Sequence, residues 1–185
     1  MGINLAYSAY AIGGLALAVS WATWLPGFVV NILNFLYPLG LPGGLLGLLL
    51  LALRVCIGFL FVLHGWPKIS HLRTWSKAIN MPIFLCFLSA LSMFLGGFFM
   101  IIGLLTPFDS LAILGSMLFA MILEMSKGSP FVARDPFQIP DNEYQGPNGQ
   151  GDPPSWEKAF LYVVILSAIS ILGPGAFSLD ALIFG

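Results

Sequence analysis

Long uncharged runs, broken by short clusters of proline, glycine and basic residues, set the pattern of the chain. A helix needs about 20 mostly apolar residues to cross a bilayer core, and four stretches meet that need. Residues 44–65 are interrupted only by Arg54 and His64; residues 82–105 carry no charge; residues 110–126 hold Glu124 near their end; residues 156–172 run apolar after Glu157 and Lys158. A fifth run, 5–25, is uncharged but carries Tyr7, Tyr10, Trp21 and Trp24. Such aromatic-rich ends suit either a span or a segment lying in the interface with residues 28–37. The pattern predicts an all-α integral membrane four-helix bundle over 43–185, preceded by an N-terminal membrane or interfacial segment over 1–42.

The breaks are as informative as the runs. Pro38, Pro42, Gly43 and Gly44 separate the N-terminal segment from the next span, and Pro67 is expected to end that span after His64-Gly65-Trp66. Pro107 predicts a tight turn, with Asp109 and Ser110 starting the following helix. Residues 127–155 are rich in Pro, Gly, Asp, Asn and Gln, which predicts an irregular surface loop long enough to suggest docking.

Composition sharpens this reading. Of 185 residues 58% are hydrophobic and 8% charged, whereas a soluble domain carries about a quarter charged residues; lipid is therefore the expected surroundings. A net charge of −1 gives no bulk attraction for nucleic acid. Cys56 and Cys86 lie in apolar runs without a CxxC pair, so they read as buried thiols rather than a disulfide, redox or zinc centre. Residues 1–53 hold no charge, so a secretory signal's basic n-region is missing and the segment reads as retained.

The basic residues predict an orientation. Lys68, Arg73 and Lys77 fall in the 66–80 loop, and Lys127, Arg134 and Lys158 in or beside the 127–155 loop, while the other side has no Lys or Arg. By the positive-inside rule both loops are cytoplasmic and the C-terminal tail faces outward. The expected location is a bacterial inner membrane or an equivalent energy-transducing membrane.

Ionisable groups within spans cost at least about 2.5 kcal/mol at the bilayer centre and mark sites by default. Arg54, His64 and Glu124 are the three. At about 1.5 Å per residue, Arg54 sits near the midplane and Glu124 near the level of His64. Glu124 then pairs with His64 or Lys68, or is simply wetted at the headgroup level. Arg54 has no carboxylate at its depth; it reaches Asp109 or Asp180, exposed carbonyls, or a polar ligand. Gly173-Pro174-Gly175 cannot continue a helix, and Ser178 is placed to cap a short final one. A chain turning back there carries Asp180 towards Arg54.

Small residues predict helix contacts: Ser89, Ser92, Gly96 and Gly103 recur along one helix, and Arg54, Gly58, Phe61 and Gly65 share a face of the preceding one. Cofactor signals are sparse. His64 is the one histidine within a span, a candidate ligand to a metal centre or pigment but not half of a bis-histidine haem site. No phosphate-binding loop, dinucleotide fingerprint, hydrolase elbow or metalloprotease helix occurs. A quinone head needs only one or two hydrogen-bond donors in an apolar cleft, so a quinone site stays open.

The motifs taken together resemble a known family. Leu53-Arg54-Val55 through Phe61, then His64-Gly65-Trp66-Pro67-Lys68, is similar to the first helix of the DoxX family of DoxD-like membrane proteins. Phe94-Leu95-Gly96-Gly97, Gly103-Leu104-Leu105-Thr106-Pro107 and the tail 173–180 resemble its later signatures. The resemblance implies a four-helix membrane bundle and a link to quinone-coupled redox chemistry, since a related protein is a subunit of thiosulfate:quinone oxidoreductase. It places Arg54, His64, Lys68 and Asp180 on the family's polar positions. Segment 1–42 and loop 127–155 depart from the pattern and read as additions for contacting other membrane subunits. The resulting expectation is an accessory subunit of a membrane electron-transfer complex, with any quinone, haem or pigment supplied within that complex. The alternatives are a subunit that itself binds quinone and, ranked last for want of inverted repeats or paired broken helices, a small-solute transporter.

Overall fold

In the computed structural model, residues 27–28, 41–135, 145–146, 149–150 and 152–184 are described. The segment 5–25 and parts of the 127–155 loop lie outside the described residues.

Among the described residues from 41 on, the helices follow in the order α1 (Gly44–Ser70), α2 (Leu72–Ala78), α3 (Ile83–Ile102), α4 (Thr106–Ser126), α5 (Glu157–Leu172) and α6 (Leu179–Phe184). Two short strands, β1 (Gln145–Gly146) and β2 (Gly149–Gln150), pair antiparallel in the long loop. Helices α1, α3 and α4 are long and apolar enough to cross a membrane. Helix α5 has 16 residues, about 24 Å at 1.5 Å per residue, and completes the bundle as its shortest member.

Several boundaries differ from the sequence pattern. Helix α1 does not stop at Pro67 but contains it and runs on to Ser70. Proline removes one N–H and crowds the carbonyl four residues back; one turn from the end, these losses do not terminate the helix. The His71 N–H then returns to the Pro67 carbonyl at 3.0 Å. Helix α4 starts at Thr106 rather than Asp109, with Pro107 in its first turn, where the absent N–H has no partner to lose. The turn between α3 and α4 is instead made by Gly103 and Leu105, both left-handed, at φ 70° and 57°.

The core forms where the four long helices meet. Ile57 and Phe61 from α1, Met93 and Met100 from α3, Ile113 and Met117 from α4, and Leu166 and Ile169 from α5 make one cluster. The outer surface of these helices is apolar as well: Leu49, Phe59, Phe84, Phe98, Ile122 and Val164 are all exposed. In water an apolar surface of this extent is an association or aggregation hazard. In a bilayer it is the solvated face, and helix contacts must come from close packing instead.

That close packing is visible between α1 and α3. A Cβ on Gly58 would lie 2.5 Å from the Gly97 carbonyl, and one on Gly97 would lie 2.7 Å from the Gly58 carbonyl. Gly65 meets the Phe94 backbone nitrogen at 2.7 Å in the same sense. The expected face of Arg54, Gly58, Phe61 and Gly65 is buried in full. Gly96 and Ser92 face α4: Gly96 packs on Ile113, and the Ser92 and Ser116 hydroxyls are hydrogen-bonded at 2.8 Å. Gly97, rather than Gly96, is thus the partner of α1. Ser170 on α5 donates to the Ser110 hydroxyl at 2.7 Å, tying α5 to α4.

Candidate functional site

Polar groups gather at the two ends of the bundle. At the end where α3 turns into α4, the tail folds back. The Ala176 N–H donates to the Pro42 carbonyl at 2.9 Å, and the Asp180 N–H to the Gly103 carbonyl at 2.8 Å. Ser178 caps α6 as expected, its Oγ accepting from the Ala181 N–H at 3.0 Å. The Asp180 carboxylate then accepts from the Leu105 N–H at 2.6 Å and the Thr106 N–H at 2.8 Å. These N–H groups stand at the start of α4 and have no partner within the helix. A carboxylate there also sits on the positive end of the helix dipole. No residue at the sequence-local cap position does this; α4 is capped from 75 residues away.

Arg54 lies against this corner, fully buried. Its Nη2 donates to the Phe177 carbonyl at 2.5 Å, and its Nη1 packs where Gly103 would carry a side chain. Both Arg54 and Asp180 therefore touch Gly103, so the returning tail carries Asp180 to the corner where Arg54 lies. Among the described residues no carboxylate oxygen lies within ion-pair distance of the guanidinium. Arg54 Nε and Nη1, Thr106 Oγ1 and Asp109 Oδ2 are buried without hydrogen-bond partners among those residues. Asp109 is itself buried within α4, so a span carboxylate exists that the expected helix start at 109–110 concealed.

At the opposite end, α1 finishes, α2 lies across, and α4 finishes. A cavity of about 150 Å³ opens there, lined by Lys68, Trp75, Ser89, Met93, Ser116 and Glu124 among others. Glu124 does not pair with His64 or Lys68. It accepts from Lys127 Nζ at 2.8 Å and from the Ser129 hydroxyl at 2.9 Å. The Gly128 turn brings both donors back to the helix end, closer than any group on α1. Lys68 instead points its ammonium at Met93 Sδ, 3.2 Å away, and lies 4.9 Å from the Trp75 ring centroid.

His64 joins neither corner. It is exposed on α1, with Nδ1 2.8 Å from the Leu60 carbonyl and its ring beside Phe61 and Tyr162. Cys56 is also exposed rather than buried, while Cys86 is buried; both are free. Among the described residues no group of three or more His, Cys, Asp or Glu could hold a metal. The base of the long loop is closed by aromatic contacts, Phe131 lying tilted against Trp156 with ring centroids 4.3 Å apart, and by the Glu157 N–H donating to the Phe131 carbonyl at 3.0 Å.

An apolar helical bundle with lipid-facing side chains and polar groups tucked into its ends defines an all-α integral membrane protein. The DoxX family model matches residues 49–125, from the second turn of α1 to the last turn of α4. The match bears out the resemblance read from the motifs over that stretch; the tail 173–180, which locks the corner at Arg54, lies beyond it. No curated protein and no solved structure matches the chain.

Proposed function

We propose that this protein is an accessory subunit of a larger membrane electron-transfer complex, a scaffold rather than the bearer of the redox centre. The observation that carries this reading is the fate of the deepest charge. Arg54 is taken up by the Phe177 carbonyl, Gly103 and the tail that Asp180 anchors, instead of facing an open cleft. A buried arginine held by backbone fixes the shape of the bundle. The quinone-coupled chemistry that the DoxX resemblance implies is then supplied by partner chains, contacted through segment 1–42 and loop 127–155. The two basic loops face the cytoplasm in this reading, and the tail faces outward.

Gentle detergent extraction followed by identification of co-purifying chains and chromophores tests the proposal. Other membrane redox subunits are expected in stoichiometric amounts. Purification as an isolated monomer with full oxidoreductase activity would overturn it.

A second reading, a subunit that itself binds quinone, is favoured by His64. Its Nδ1 is engaged by the Leu60 carbonyl, which leaves Nε2 for a group outside the chain. With Nδ1 donating to that carbonyl, the Nε2 of a neutral imidazole on a lipid-accessible helix face accepts one hydrogen bond, from a hydroxyl of the reduced quinone. Quinone that co-purifies with the wild type and is lost in His64→Ala supports this reading; equal quinone in both rules it out.

A further inference from the structure

We propose that the cavity at the basic end of the bundle is a binding site for the oxyanion head of a membrane amphiphile, with Lys68 as its principal contact. An ammonium group has three donors and no acceptor. Among the described residues Lys68 meets only a thioether, a weak acceptor, and an aromatic face. Among the described residues the one carboxylate lining the same cavity, Glu124, is satisfied by Lys127 and Ser129. The cavity therefore carries an uncompensated positive charge in surroundings where an ionic partner is worth more than in water. Its volume of about 150 Å³ matches a cavity that accepts a benzene-sized guest. Such a space takes a compact head group, not a whole cofactor.

Charge and lining select the chemistry. The ammonium disfavours cations, and the Ser89 and Ser116 hydroxyls offer further polar contacts for an oxyanion. The remaining walls include Phe119, Ala120 and Leu123, which suit the apolar portion of an amphiphile and not a fully hydrated ion. The site also lies at the end of the bundle that gathers Arg73, Lys77 and Lys127. A basic cluster at a membrane face attracts anionic head groups by about 1 kcal/mol per residue. A phosphate-bearing lipid and a free phosphate ion share the chemistry that Lys68 recognises, and the lipid is the source that the apolar walls favour.

The test uses the full chain in nanodiscs containing phosphatidylcholine with or without phosphatidylglycerol, with retained lipid measured by native mass spectrometry. Wild-type protein is expected to retain phosphatidylglycerol over phosphatidylcholine. Lys68→Met should lower that retention about tenfold, and Lys68→Arg should preserve most of it. Ala120→Leu fills the cavity while leaving Lys68 in place and should lose retention as well, which separates the site from any general effect of removing a lysine. Lys77→Met, at an exposed position on α2, controls for bulk attraction and should change retention less than about threefold. Displacement by millimolar inorganic phosphate would support the oxyanion site and assign it to the free ion; no displacement assigns it to the lipid. Equal retention by wild type and Lys68→Met, an equal loss in Lys77→Met, or no preference for phosphatidylglycerol would overturn the proposal.

Discussion

Asp180 does two things from one position. It supplies the acceptors that the first turn of α4 lacks, and it lies beside a fully buried arginine. Removing the carboxylate leaves the Leu105 and Thr106 N–H groups without their acceptor, at a cost of about 1–3 kcal/mol for each buried group left unpaired. Asp180→Ala is therefore expected to lower the melting temperature in detergent sharply, whereas Asp180→Asn, which keeps one acceptor oxygen, should cost less. Equal stability of wild type and Asp180→Ala would show that the tail does not secure the α4 start. Gly103 tests the same corner sterically. Its φ of 70° is one that L side chains rarely adopt, and a Cβ there would collide with Arg54 Nη1 and Ser178. Gly103→Ala should cost at least about 2 kcal/mol, read as thermal stability or as loss of folded yield.

At the scale of elements, the close approach of α1 and α3 rests on reciprocal glycines. Gly58→Ala would place a methyl group 2.5 Å from the Gly97 carbonyl, so the helices must part, at an expected cost of about 1–3 kcal/mol. Gly115, on the exposed face of α4, meets nothing within 4 Å. Gly115→Ala should leave stability unchanged or raise it by up to about 1 kcal/mol; thermal melts of the two variants side by side check the contrast. Much of this packing was legible in the sequence, because Arg54, Gly58, Phe61 and Gly65 recur at helical spacing and hydropathy marked each long helix. The start of α4 was not legible. Its cap comes from Asp180, 74 residues from Thr106, and local cap preferences carry no trace of so distant an acceptor. Pro67 misled for a related reason: a proline's cost is local, and the packing of Gly65 against Phe94 helps hold α1 in place at that point. Depth alone does not identify the partner of Glu124. Lys127 and Ser129, three and five residues away, are closer competitors than any residue on another helix.

For the whole molecule, the decisive contrast among the described residues is between an apolar exterior and clusters of charged groups at the two bundle ends. Carbonate washing should leave the protein in the membrane pellet, since α1, α3 and α4 each have the length and apolarity to span. The proposed orientation predicts that a reporter fused after residue 185 is active on the outer side, while cysteines introduced at Arg73 or Arg134 are labelled from the cytoplasm. The converse pattern would invert the assignment of the basic loops. What the chain does in its membrane was least legible, because its deepest charge, Arg54, is enclosed by its own tail and donates to the Phe177 carbonyl, and so announces no substrate.

The account turns on whether the buried guanidinium and the tail carboxylate hold the same corner as one unit. A double-mutant cycle with Arg54→Ala, Asp180→Ala and the double variant, read by equilibrium unfolding in detergent, tests this directly. Because both side chains bear on Gly103 and the returning tail, the two losses are predicted to be non-additive by about 1 kcal/mol or more. Additivity within about 0.3 kcal/mol would contradict it.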